Sequence, residues 1–452
     1  MHGKHEVDMT VGSLPVKMIK FAVPFVLMSM LQLTFNAADN LVVGAFAGTY
    51  ALASVSSSGP ITNFVVNLFS GLAIGTNMIL TKAIGAGNKK SCEDTVHTTI
   101  ALGALMGIVL AILGFLLAPW VVELVNMPKE VAPLAISYLR IYFLGTPGLI
   151  LYNFSAAILR SMGDTKRPMF YLLFAGILNV ILNLVFVIKF QMSSSGVAIA
   201  TTFSQYVSAL LTMRALVKED GYCKLTLSKI RLTLHRAVLI LKLGIPASVQ
   251  GLMFSISNIT IQGYLNTFGA DAMAGYGASA TLTGFIYATL SAMQQTALAF
   301  TGQNYGAHKL DRIKKIYPIS LGYMFLMFTI VAGIMRIFCK PVINMFVPGN
   351  EAAMGYAMEM FNILGTLYFI CGIMDVNVGM IRGLGKSFVP TIISIVGICG
   401  IRLIWICTVF KIVPTLTCLY MTYPVTWVIT GAAQMIYLYR VYKGLVRKQN
   451  NI

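Results

Sequence analysis

The chain has 452 residues, of which 57% are hydrophobic and only 11% charged, with a mean hydropathy of +0.79. That composition excludes a soluble protein carrying a single anchor and points to an integral membrane protein. The apolar runs are continuous and about twenty residues long, the length of a membrane helix, and lack the alternation of a membrane β-barrel.

Twelve helical spans are expected, approximately at 16–40, 51–80, 95–118, 132–156, 168–189, 196–216, 237–264, 272–301, 317–339, 352–378, 388–411 and 418–440. The formal charge of +18 would suggest nucleic acid in a soluble chain, but 26 of the 33 Lys and Arg fall on one set of alternate segments and five on the other. The positive-inside rule then puts both termini in the cytoplasm and accounts for the charge without nucleic acid.

The first span is unlike an ordinary lipid-facing helix. Ser29, Gln32, Asn36 and Asp39 stand at offsets 0, 3, 7 and 10, which makes a polar stripe on one face. A carboxylate at membrane depth is costly and marks a binding or relay site facing protein or water. The bland alternative is a neutral, hydrogen-bonded Asp39 that ties helices together. Pro24 weakens the same helix and is read as a hinge. This first hydrophobic segment has no convincing cleavage site and is read as a retained helix.

The second span repeats the pattern with Ser56, Asn63, Asn67 and Ser70, and is interrupted by Gly59-Pro60. A basic loop, TKAIGAGNKKSCED from Thr81 to Asp94, leads to a plain third span expected to face lipid. The fourth contains Arg140 and ends in the turn LRSMGDTKRP, which runs to Pro168. In the fifth, Asn179 and Asn183 lie four apart and stack on one face; in the sixth, Thr201, Gln205, Ser208 and Thr212 form another stripe. Spans one, two, five and six must bury these faces together, either as interhelical glue or around a watery cavity.

The charged segment 217–236 reads as a cytoplasmic linker between an N-lobe, 1–216, and a C-lobe, 237–452. After it the chain starts again. Pro24 and Pro246, Asn36 and Asn258, Arg160 and Arg382, Gly163 and Gly385, and Pro168 and Pro390 are each 222 residues apart. An offset held that far makes two six-helix repeats. Six is even, so the repeats are parallel, related by a pseudo-twofold axis along the membrane normal, with a substrate site expected near the midplane. The eighth span carries an extended polar-aromatic face, Tyr276, Ser279, Thr283 and Tyr287 onward, expected to line a cleft.

The repeats differ in their charged residues. Ile261 stands where the first repeat has Asp39, Asp375 where it has Asn153, and Arg402 where it has Val180. Arg140 and Arg402 are expected to pair with polar neighbours. The seven cysteines form no CxxC pair and read as small hydrophobes; no metal set or cofactor is expected.

These residues resemble the multidrug and toxic compound extrusion (MATE) transporters, specifically the DinF-like branch. The resemblance rests on Pro24 and Asp39 within QLTFNAAD, on LRSMGDTKRP and on GVAIATTFSQ from Gly196 to Gln205, and it covers nearly the whole chain. It implies two six-helix lobes forming a V-shaped cleft, with export driven by inward flow of H+ or Na+. Carried over by motif, the ion-coupling residues would be Asp39, Asn179, Asn183 and Thr201. Asn183 stands where some members have a second acid, leaving one negative charge and the stoichiometry open. Asp375 is a possible second coupling acid, about one turn from where the other branch would place it.

The function expected is therefore an H+ or Na+ antiporter exporting organic, cationic or neutral amphipathic compounds by alternating access, with Na+ held transiently at Asp39. Protonation of Asp39 would loosen its bonds to Asn179, Asn183 and Thr201 and let the first helix bend near Pro24. The expected cleft includes Gln32, Phe35, Asn36, Asn63, Asn67, Gln205, Tyr276, Thr283 and Tyr287, with Met28, Met30, Met253 and Met293 offering adaptable surfaces. The partners expected are small organic compounds and membrane lipid, with the chain acting as a monomer in the cell (inner) membrane. The main alternative is a lipid-linked oligosaccharide flippase, although spans one, two, seven and eight lack the interior Lys or Arg that lipid phosphates would require. An enzyme is not expected, since no span holds a histidine away from its ends.

Overall fold

The computed structural model describes residues 7–450, apart from the side chains of Asn40 and Asn450. The fold is all-α. The helices are α1 (Leu14–Phe46), α2 (Thr49–Gly85), α3 (Lys89–Leu124), α4 (Ala132–Leu144), α5 (Thr146–Ser161), α6 (Lys166–Leu184), α7 (Ser193–Val217), α8 (Leu234–Leu265), α9 (Ala270–Gly306), α10 (Leu310–Phe346), α11 (Glu351–Gly383), α12 (Phe388–Ser394), α13 (Ile401–Cys407), α14 (Val409–Ile412) and α15 (Leu416–Asn450). Among the described residues, nine elements are long and apolar enough to cross a membrane, and α4 with α5 makes a tenth. Two further long helices, α9 and α15, are 37 and 35 residues, which completes twelve spans.

Several spans depart from their expected outlines. The fourth is not one rod: α4 and α5 meet at a 44° bend where Gly145 is followed by Thr146-Pro147. Proline is suited to the first turn of α5 but could not continue α4, because it has no N–H for the carbonyl one turn back. Gly145 also lets α7 approach, since a Cβ there would lie 2.7 Å from both Gln205 Oε1 and Thr202 Oγ1. The basic loop expected from Thr81 to Asp94 is almost entirely helix. It shrinks to a turn in which Gly87 takes a φ of +64° and Asn88 caps α3 by accepting from the Ser91 N–H at 2.9 Å. The repeat is visible in the backbone as well: Gly163 and Gly385, 222 residues apart, take φ values of +90° and +79° at equivalent helix ends.

The chain divides into two compact units. Among the described residues, an N-unit comprises Leu27–Ser248 with 7–8, and a C-unit comprises Met9–Val26 with 249–450. This differs from a division at the 217–236 linker in two ways. The border falls inside α1 and α8, two residues after Pro24 and two after Pro246. The linker itself is fastened to the N-unit: Cys223 and Leu225 join a core with Cys92 and Val96, the Thr226 N–H donates to His97 Nε2 at 3.1 Å, and Arg231 pairs with Asp94 at 2.9 Å. His97 Nδ1 faces the Glu93 carbonyl at 2.7 Å, so it carries the proton and leaves Nε2 as acceptor.

In the N-unit, α5 packs on α2, α3 and α7, and α7 also packs on α4 and α6. The outer row of α3 (Leu105, Ile108, Ile112, Leu116) is exposed apolar surface, as a lipid-facing helix requires. The turn before α6 is an ion-paired knot: Asp164 accepts from the Lys166 and Arg167 N–H groups, each at 3.1 Å, and pairs with the Arg167 guanidinium, which reaches buried Glu219 Oε2 at 2.7 Å. In the C-unit, α11 packs along α9, α10 and α15. The segment before α1 is seated at Met9, which is fully buried: its N–H donates to Gln303 and its carbonyl accepts from Asn304 and Arg312.

Candidate functional site

Asp39 lies on the N-unit part of α1, and α6 presents Asn179 and Asn183 to it on consecutive turns. Asn183 Nδ2 donates to Asp39 Oδ1 at 2.5 Å. The Asn179 amide is oriented with its nitrogen toward the same oxygen, donating at 2.7 Å, while its own oxygen accepts from the Thr201 N–H at 3.2 Å and the hydroxyl at 3.3 Å. Four residues singled out from the sequence thus form one connected cluster. Both asparagines are buried, and Asn183 Oδ1 has no partner among the described residues. Two residues after Asn183 the helix opens into a π-helical segment, Val185–Lys189, a distortion frequent at functional sites.

The cluster borders a pocket of about 120 Å³. It is lined from α1 by Gln32, Phe35, Asn36 and Asp39, from α5 by Tyr152 and Asn153, and from α7 by Thr201, Ser204, Gln205 and Ser208, among others. A liquid-water molecule takes about 30 Å³, so the space suits a few waters, a hydrated ion or one small group. Gly176 on α6 makes room for the Phe35 ring, because a Cβ there would overlap it at 1.9 Å.

Some residues expected to line a cleft are not among those lining this pocket. Asn63 and Asn67 do not line this pocket, and Asn63 is exposed on α2. Tyr276, Thr283 and Tyr287 belong to the C-unit, where the polar row of α9 is buried at Ser279 and Thr283 and exposed at Tyr287. Thr283 is buried with its hydroxyl on the Ser279 carbonyl, and further along a Cβ at Gly379 of α11 would lie 2.3 Å from the Gln294 carbonyl. The Tyr276 hydroxyl meets that of Tyr423 at 3.5 Å, and Tyr287 keeps an exposed edge beside Tyr368. Asp375 is buried on α11 and its Oδ2 lacks a partner among the described residues. Arg140 pairs with the Phe115 carbonyl and ring, and Arg402 with Ser257 and Asn258.

Tyr152, Asn153 and Ser204 were not anticipated as pocket residues. The signal for Asn153 was present: it is the position matched to Asp375 across the repeat, and its Oδ1 accepts from Ser70 at 3.5 Å. Tyr152 reaches Met28 Sδ at 3.7 Å, a contact that helical periodicity cannot reveal.

The chain matches the family model described as MatE twice, over residues 24–185 and 246–407. It is 26% identical over 389 residues to "Probable multidrug resistance protein YoeA" of Bacillus subtilis, covering 84% of each chain. It is 27% identical over 396 residues to "Probable multidrug resistance protein YpnP" of the same organism, covering 87% of this chain and 88% of that one. Its fold is that of a solved structure described as the outward-facing conformation of a multidrug resistance MATE family transporter of the MOP superfamily, with a TM-score of 0.90, 21% identity and coverage of 99% of this chain and 100% of that one.

Proposed function

The chain belongs to the MatE family of multidrug efflux transporters, and from that premise we propose that it is a cation-coupled antiporter of the DinF-like branch. It exports cationic or neutral amphipathic organic compounds by alternating access, in exchange for H+ or Na+, as a monomer in the inner cell membrane with both termini cytoplasmic. Its work is binding and movement, with no catalytic step and no resident cofactor. The flippase alternative finds no support in the relatives described above.

One observation carries this reading: a lone carboxylate of a membrane helix, Asp39, receives amide donors from Asn179 and Asn183 beside a small pocket. Hydrogen bonds to the ionised form hold it in place, and charge-assisted bonds of this kind are roughly twice as strong as neutral ones. A proton arriving at Asp39 turns an acceptor oxygen into a donor, so the two amide N–H groups lose part of what holds α6 to α1. A small hard cation would act on the same atoms, since Asp39 and the unpartnered Asn183 Oδ1 offer oxygen ligands. The change reaches the rest of the chain along α1, whose ladder of hydrogen bonds is broken at Pro24, close to where the helix passes from one unit to the other.

The test is resistance of a host stripped of its own pumps. Cells expressing Asp39→Asn at wild-type levels should lose protection against cationic dyes and fluoroquinolone-like compounds; undiminished protection removes the proposal.

A further inference from the structure

The place in the C-unit that corresponds to the Asp39 cluster has the opposite polarity. The repeat offset of 222 residues carries Asn36 to Asn258, Asp39 to Ile261, Val180 to Arg402, Asn183 to Trp405 and Thr201 to Tyr423. The register is preserved in contacts as well as in numbering. Asn183 meets Asp39 across 144 residues in the N-unit, and Arg402 meets Asn258 across 144 residues in the C-unit. Where the first repeat has a carboxylate held by amides, the second has a guanidinium held among aromatic rings.

Arg402 is only 4% exposed, and its Nη1 donates to Ser257 Oγ at 3.2 Å and Asn258 Oδ1 at 3.0 Å. Its guanidinium carbon lies 4.3 Å from the centroid of the Tyr423 ring. Its Nε has no partner, and no carboxylate lies within ion-pairing distance of it, among the described residues. The buried acid of the unit, Asp375, has Arg382 as its electrostatic partner instead. A buried guanidinium facing only neutral groups is costly in a membrane span, and such residues mark functional sites. Arg402 also lies two residues after a six-residue π-helical segment, Ile395–Gly400, as the Asn183 site is flanked by one.

The unpartnered Nε belongs to the side of the fork with which arginine takes a carboxylate through two parallel hydrogen bonds. Flat rings lie beside it, packed in the core of the unit with Tyr423 7% and Trp427 3% exposed: Tyr423 and Trp427 at 5.9 Å between ring centroids, Trp427 and Tyr368 at 4.8 Å. Such rings pack planar cargo through offset or edge contacts. We propose that Arg402, Tyr423, Trp427 and Tyr368 form a second cargo site, in the C-unit, that takes an aromatic compound by its carboxylate. The proposal rests on the export reading for its purpose, since it widens the cargo from cations to aromatic acids and zwitterions, but the site itself is testable without transport. It is closed in this structure, and cargo enters when Arg402 becomes exposed.

The experiment uses purified full-length protein in detergent with Trp120→Phe and Trp405→Phe, which leaves Trp427 as the reporter. Its fluorescence is titrated with 1-naphthoate and with the similarly shaped cation 1-naphthylmethylammonium. Naphthoate should bind saturably, and Arg402→Gln should weaken it about tenfold or more, the scale of a lost charged hydrogen bond, while leaving the cation unaffected or tighter. Arg402→Lys, which keeps the charge but not the fork, is the second variant should Arg402→Gln fail to fold, and should weaken naphthoate alone. No saturable naphthoate binding by the parent protein, equal losses for both probes, or unchanged affinity in both variants overturns the proposal and leaves Arg402 as a strut between α8, α13 and α15. Naphthoate binding is read on the parent and the Arg402 variants, and dye export on Asp39→Asn, so failure of the export reading and failure of this site give different results.

Discussion

Replacing Gly176 with alanine would put a methyl group inside the volume of the Phe35 ring. An ideal Cβ at Gly176 lies 1.9 Å from Phe35 Cε2 and 2.3 Å from each of the next two ring atoms. Carbon atoms in contact sit about 3.5–4.0 Å apart, so the ring must retreat by roughly 1.5 Å or more. Either α1 and α6 separate, which lengthens the bonds from Asn179 and Asn183 to Asp39, or Phe35 swings into a pocket of only about 120 Å³. Overpacking of this kind costs about 1–3 kcal/mol. The assay is thermal inactivation of the purified protein together with dye export from cells. Gly176→Ala should lower both, and adding Phe35→Leu should recover stability beyond the sum of the single changes, with a coupling of about 1 kcal/mol. A Gly176→Ala protein as stable and active as the parent, or strictly additive double-mutant data, would refute the proposed packing of α1 on α6.

Two further changes probe what holds the N-unit together. Arg167→Ala strands Glu219, whose side chain is 1% exposed, and Asp164 without their cation. Removing one partner of a buried pair costs about 3–5 kcal/mol, so melting should drop sharply; a parental melting temperature would contradict the ion-paired knot. His97→Ala removes the acceptor for the Thr226 N–H, a loss of about 0.5–1.5 kcal/mol, and should speed tryptic cleavage in the segment containing Lys218, Lys224 and Lys229 several-fold. Equal cleavage rates would mean that the linker is held by its buried Cys223 and Leu225 alone.

Much of this architecture is legible in the sequence because a membrane constrains it strongly. Length and hydropathy identify the helices, and a fixed offset identifies the repeat. The residues of the Asp39 cluster stand out because polar groups at membrane depth need partners. What helical periodicity gives is the polar face of each helix, and it is silent on what that face meets. The α9 row reads from the sequence as a cleft lining, yet Ser279 and Thr283 are buried, and glycines such as Gly379 let α9 and α11 pack closely enough to hide neighbouring polar groups. The bend at Gly145 depends on a proline placed at a helix start, which reads equally well as a kink within one span. The seating of Met9 and of the linker depends on distant partners, Gln303 and His97, that no local pattern reveals. Tyr152 and Asn153 enter the pocket through the rotation of α5, which is set by its packing on α2, α3 and α7.

The most direct test of the account is gradient-driven transport by reconstituted protein. Parent and Asp39→Asn are placed in proteoliposomes, a proton or sodium gradient is imposed, and movement of a fluorescent cationic dye against its own gradient is followed. The account predicts that the parent concentrates the dye under at least one of the two gradients, while Asp39→Asn still binds it and only lets it equilibrate. Uphill transport by Asp39→Asn at the parental rate would contradict it.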